Sequence, residues 1–229
     1  HLFIRTVVLQ SITVAHVQNW LVRTAREPPG GETMSLPEVR SASGEDDKAK
    51  VINAFVMGFA ADPVMRWLWP DAKGYLEAMP RFSSAFGGKA FDHDTAHLVD
   101  EGKAAATWLP PGEDVDPDPV VSVLTETLPE DRLEDILSVL EQMGTYHPHD
   151  PCWYLSIIAA DVNYMGKGLG AALMKHALLA ADEAGLPAYL ESSNVRNVAF
   201  YERHGFELMG EIQVGTSPVV RPMYREARR

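Results

Sequence analysis

A single cysteine, Cys152, stands in the chain, so an intrachain disulfide is excluded, and a reducing, cytoplasmic setting is expected. Cys152 is read as a small core residue. Basic residues are few: 20 Lys and Arg face 32 Asp and Glu, a net charge of −12. That balance argues against nucleic acid and anionic membrane as partners, whose usual footprint is a basic patch. It suits cationic small molecules such as amines, because a field of one sign gathers the opposite charge. No apolar run reaches the length of a membrane span. The stretch 2–17 is apolar but interrupted by Arg5, Gln10, Ser11 and His16, and it lacks a signal-peptide layout. His147 and His149 are not at helical metal-ligand spacing and no Cys, His and Glu cluster accompanies them, so no metal is expected.

What is present is an ordinary share of apolar residues, 46% over 229 positions, enough for one sizeable core. Residues 1–33 are read as an N-terminal extension preceding a domain at 34–229. The break falls at the turn-rich Pro28-Pro-Gly-Gly31, just before Met34, and the alternative is a native segment. Ser43-Gly-Glu-Asp46 has the form of a capping box, followed by Val51, Ile52, Phe55, Val56 and Phe59 at helical spacing and a stop at Asp62-Pro63. A second helix is expected over about 72–86. Trp67, Trp69 and Tyr75 either wall a substrate pocket or belong to the core. Residues 96–99 and 104–109 read as a hairpin, and the proline-rich 110–119 as a surface loop. Pro129 marks the first position of a helix that ends at Gly144. Residues 207–214 and 219–224 read as a closing hairpin.

The chain is organised around residues 153–206. The apolar run Trp153–Ala160 leads into Asp161-Val-Asn-Tyr-Met-Gly-Lys-Gly-Leu-Gly170, then a helix to Ala184, a strand Ala188–Glu191, and a tyrosine-bearing helical stretch up to Phe206. Gly166, Gly168 and Gly170 offer three positions without a Cβ, which lets successive N–H groups turn into one concavity at a helix N-terminus, a place for a diphosphate. A P-loop is excluded because Lys167 is followed by glycine and not by Ser or Thr. A dinucleotide site is disfavoured because Ala171 stands where the third glycine belongs and too few βα units follow. A cradle for coenzyme A remains.

Two ordered motifs support that last reading. Met165-Gly-Lys-Gly-Leu-Gly170 resembles the Gln/Arg-x-x-Gly-x-Gly/Ala pattern of the GNAT N-acetyltransferase superfamily, with Met165 at the usual Gln/Arg position. Asn194, Tyr201, Gly205 and Phe206 match a second block of that family, with Asn197 in place of its Ala. Residues 153–206 are most similar to puromycin N-acetyltransferase-like members. The resemblance implies an α/β (α+β) fold: a mixed, mostly antiparallel central sheet flanked by helices, splayed between two central parallel strands at 153–160 and 187–191. It implies acetyl-CoA as co-substrate and a small-molecule amine as acceptor, with a homodimer left open. By the same resemblance, backbone groups of Ile158, Ala159 and Ala160 would bond the pantetheine arm. Met165, Gly166, Lys167, Gly168, Leu169 and Gly170 would hold the diphosphate, Asn194 would touch the cofactor's lower arm, and Tyr201 would protonate the leaving thiolate.

The chemistry of such a transfer agrees with those roles. A thiol has a pKa near ~8.5 and a phenol near ~10, so a tyrosine can supply the departing thiolate with a proton or hydrogen bond. The alternative for Tyr201 is core packing with Phe200 and Phe206. Glu191 is the candidate general base, with His147, His149 and Glu126 as rivals; its alternative is a carboxylate bonded to Ser192 or Ser193. The competing functional classes are an acyl-CoA sensor without chemistry, which would dispense with Tyr201, and a protein acetyltransferase, which would want an open groove.

Overall fold

The computed structural model describes residues 37–228; the expected extension at 1–33 lies outside the described residues. Seven strands form one sheet: β1 (Val39–Ser41), β2 (Ala96–Val99), β3 (Ala104–Leu109), β4 (Trp153–Ala160), β5 (Ala188–Ser192), β6 (Glu207–Leu208) and β7 (Arg221–Arg225). Their order is β1-β2-β3-β4-β5-β7-β6, and among the described residues only β4 and β5 run parallel. The fold expected from the resemblance is the fold observed.

Helices cover both faces. α1 (Gly44–Gly58), α2 (Pro63–Leu68), α3 (Ala72–Gly87), α4 (Pro117–Thr127) and α5 (Glu130–Tyr146) share a core with Tyr154, Ile157 and Tyr189 of the sheet. α6 (Leu169–Ala184) and α7 (Val195–Arg203) pack on the opposite face with Leu155, Leu190 and Phe206. Aspartates start several helices. The Asp62 carboxylate accepts from the Val64 and Met65 amides at 2.9 and 3.2 Å, with Pro63 as the first helical residue, so this Asp-Pro pair begins α2; α1 has already ended at Gly58, short of the stop expected at Asp62-Pro63. Asp116 caps α4 in the same way, so the proline-rich stretch is a loop only as far as residue 116 and then turns helical at Pro117.

Two further local expectations shift. The Ser43 side chain makes no capping bond; Asp47 accepts from the Ser43 amide at 3.0 Å instead, one residue later than a capping box would have it. α5 runs through Gly144 to Tyr146, with Pro129 at its cap position, and gives way at His147, where the following Pro148 disfavours helix. The closing hairpin is present but short: β6 meets β7 at Glu207 and Leu208, and Ile212 bridges Val220.

The sheet is cut open at its centre. β4 pairs with β5 at Trp153–Ala188, Tyr154–Tyr189 and Leu155–Leu190 and no further. At the next residue β4 also slips against β3: Trp108 faces Leu155 and Thr107 faces Ile157, which leaves Ser156 as an extra, bulged residue. Its hydroxyl bonds back to Thr107. A bulge bends a strand and inverts the alternation of its side chains. Tyr154 and Ile157, three apart, therefore lie in one core and Leu155 and Ile158 contact the other.

Candidate active site

Beyond Leu155 the β5-facing edge of β4 has no strand partner, and this open edge belongs to Ile158, Ala159 and Ala160. On their other side these three pair with Ala106, Ala105 and Ala104 of β3. The end of α1 presses close: a Cβ on Gly58 would fall 2.6 Å from the Ala159 Cβ and 2.8 Å from the Ala160 carbonyl oxygen. After β4, Asp161 turns the chain and leads through a short 3₁₀ turn, Val162–Tyr164, to the glycine loop. Gly166 and Gly168 have φ of 76° and 82°, a region open to glycine and costly for other residues. Gly170 differs from expectation. It lies inside α6, and a Cβ there would sit 3.6 Å from the Phe200 ring, an ordinary contact, so the curl is made by two glycines and not three. The Lys167 ammonium lies 4.7 Å above the Tyr164 ring centroid, and Lys103 lies 5.0 Å from the same ring. Met165 is exposed, so the family's Gln/Arg position carries no buried contact here.

Asn194 caps α7, its side-chain oxygen accepting from the Arg196 amide at 3.1 Å, which leaves its amide nitrogen free to donate. Tyr201, two residues before the end of α7, packs against Phe200 and Phe206 at ring separations of 5.2 and 6.3 Å. It is nevertheless on the wall of a cavity of about 110 Å³. Burial pushes its phenol above the usual tyrosine range, and the negative charge of Asp62 adds to the effect, so the group stays protonated as a donor.

That cavity is lined from both faces of the sheet. Leu155, Ile158, Leu190 and Tyr201 belong to the α6–α7 side, while Phe59, Met79 and Phe82 come from the helices of the other. It passes through the sheet where β4 and β5 part, and Glu191 stands on its wall. Neither serine expected beside Glu191 bonds it: Ser192 donates to the Asn194 carbonyl and Ser193 to Asp62 at 2.6 Å. The Glu191 carboxylate accepts from the Tyr154 hydroxyl at 2.8 Å. Burial raises its pKa to about 7; phenolic donors, Tyr154 first, counteract part of that rise. Of the nearby phenols only Tyr154 makes the bond, since the Tyr189 hydroxyl is buried without a partner.

A second, wider cavity of about 530 Å³ adjoins the first. Glu191, Phe86, Leu140 and Met143 line both. His147 and His149 stand at this second cavity, the His147 ring edge-on to Tyr154 and Tyr189 at 5.1 and 5.0 Å. The remaining rival, Glu126, is exposed and ion-paired with Arg81, away from both. The aromatic cluster divides. Trp69 and Tyr75 are buried core residues, bonded to Thr127 and to the Val56 carbonyl, and Trp67 stacks under Arg132, while their neighbours Val64, Met65 and Leu68 form cavity wall. Cys152 is buried and its thiol is pushed up to about 11, chiefly by burial, which keeps it from acting as a nucleophile.

Asp62 escaped the sequence reading as anything but a helix stop. It is 6% exposed, bonded to Ser193 across 131 positions of sequence, and its carboxyl is held above the usual range by burial. The Asp62-Pro63 signal was visible; its link to the end of β5 was not. Among the described residues no cluster of three or more His, Cys, Asp or Glu could hold a metal, and no helix is long and apolar enough to cross a membrane.

Comparison with known proteins matches part of the chain and its fold. The family model described as the acetyltransferase (GNAT) family matches residues 132–206, about a third of the chain. An uncharacterized N-acetyltransferase of Schizosaccharomyces pombe is 39% identical over 57 residues, 25% of this chain; the match spans 23% of that relative's length. Among solved structures, one from Corynebacterium glutamicum, described as histone acetyltransferase HPA2 and related acetyltransferase, has a TM-score of 0.60 and 24% identity, covering 85% of this chain and 98% of its own. An agmatine N-acetyltransferase has a TM-score of 0.58 at 13% identity, covering 83% and 99%. The architecture is the GNAT fold.

Proposed function

We propose that this protein is a GNAT-family N-acetyltransferase, its domain at 34–229, that moves an acetyl group from acetyl-CoA to the primary amine of a small molecule by direct attack in a ternary complex. Within the family we assign it to the puromycin N-acetyltransferase-like members, on the motifs at 166–170 and 194–206. The observation that carries the reading is the opening between β4 and β5, where a cavity crosses the sheet with a buried carboxylate, Glu191, and a protonated phenol, Tyr201, on its walls. The agmatine-acting neighbour supports a small-molecule amine as acceptor.

The chain's residues fit the cofactor. The free edge of β4 at Ile158, Ala159 and Ala160 can accept a pantetheine arm as a further strand. The two left-handed glycines and the start of α6 turn main-chain amides and the helix's positive end outward at Met165–Gly170, where Lys167 adds charge for a diphosphate. The Asn194 amide is free to donate to the lower arm. When bound, acetyl-CoA supplies the activated acetyl thioester.

The residues then divide the proton work. A protonated amine is unreactive, so Glu191, ionised above about pH 7, takes its proton. The amine nitrogen would bond to the acetyl carbon as the carbon–sulfur bond breaks, and the nitrogen's second proton would pass to Tyr201 as Tyr201 gives up its own, which leaves a neutral amide and a neutral phenol. The departing thiolate receives its proton from Tyr201, whose raised pKa keeps that proton available at neutral pH. Replacing Tyr201 by Phe should lower turnover at least ~10-fold, the lower reach of a general acid's contribution, while CoA affinity stays nearly unchanged. Thiol release and CoA titration measure the two; undiminished turnover would remove Tyr201 from the acid role.

A further inference from the structure

The two cavities that meet at Glu191 also state what kind of amine can reach it, and this step rests on the acetyltransferase reading. Among the described residues no lysine or arginine lines either of them. The walls of the wider one are mostly apolar, with Phe86, Val120, Val121, Leu140 and Met143 among them. Its charged residues are both acidic: Glu191, and exposed Asp114. The nitrogens there belong to His147 and His149. A carboxylate or phosphate on the acceptor would lose its water beside two like charges with no ammonium or guanidinium to meet it, an arrangement that strongly disfavours the charged form. A second ammonium deep in the cavity would face apolar wall, since Glu191 is committed to the reacting nitrogen.

We infer that the acceptor is a primary amine on an apolar body of aromatic or branched-alkyl size, without a carboxylate, and that it reaches Glu191 through the cavity between α4 and α5. Asp114 draws in the cationic form, the apolar walls hold the body, and Glu191 receives the proton.

Matched amines test this: 2-phenylethylamine, L-phenylalanine, which differs by one carboxylate, and putrescine, which exchanges the ring for a second ammonium. With acetyl-CoA and thiol release as the readout, kcat/KM for 2-phenylethylamine should exceed both others at least tenfold. Equal or better use of phenylalanine or putrescine would overturn the acceptor class and leave the acetyltransferase reading standing. Absence of thiol release with every amine would overturn both. Val121, 37% exposed on α4, tests the route: Val121→Trp should raise KM for 2-phenylethylamine at least threefold with KM for acetyl-CoA unchanged, and an unaltered amine KM would move the acceptor out of this cavity.

Discussion

Glu191 shows how much one side chain's surroundings decide. Its place near the end of β5 is legible from Ala188–Glu191, but its chemistry comes from burial and from a tyrosine 37 positions away. With its pKa raised to about 7, the base role proposed for Glu191 has kcat/KM for an amine rise as pH passes through that value, since a carboxylate accepts a proton only when ionised. Glu191→Gln should flatten that limb and lower kcat/KM by about 10²-fold or more, read from a pH–rate profile. The sign on stability is opposite. A folded pKa raised above the usual carboxylate value makes the folded state bind the proton more tightly, so this group's contribution to stability is present in acid and lost as pH rises through about 7. Glu191→Gln, free of that penalty, should therefore raise the Tm at pH 8 by a few degrees, on the order of 2–4 °C per kcal/mol for a chain of this size, and change it little at pH 4.

At the scale of elements, the site depends on how closely α1 lies on β4. Gly58 permits the approach, because a Cβ there would meet backbone and the Ala159 side chain at distances that require movement. Gly58→Ala should push the helix from the strand that presents Ile158–Ala160. The expected result is a loss of about 1–3 kcal/mol, typical of overpacking, and a raised KM for acetyl-CoA. Denaturant unfolding and steady-state kinetics measure the two. β4 itself carries a lesson about legibility. Its apolar run announced a strand, and strands 96–99 and 104–109 were read to the residue. The bulge at Ser156 was not readable, because a bulge is a relation between two strands and neither partner records it alone. The same limit hid the bond from Ser193 to Asp62.

At the scale of the whole molecule, a net charge of −12 surrounds a site whose charged lining residues are acidic. Such a field gathers cations and is screened by salt, with a Debye length of about 30 Å at 0.01 M and about 10 Å at 0.1 M. Raising ionic strength across that range should lower kcat/KM for a cationic amine by several-fold through KM, with kcat held; a flat response would confine the role of the acidic surface to solubility.

What residues in order could determine were the features whose causes are local. Glycines at 166 and 168 permit a left-handed turn, helical spacing places the apolar stripes, Asp62-Pro63 marks a helix boundary, and two motifs with ordered spacing announce the GNAT fold. Tertiary structure alone decided which carboxylate is buried, where two parallel strands stop pairing, and that Tyr201 and Glu191 face one cavity from opposite sides of the sheet. The physical reason is that pairing register, desolvation and cavity walls arise between segments far apart in the chain, and no single segment carries them.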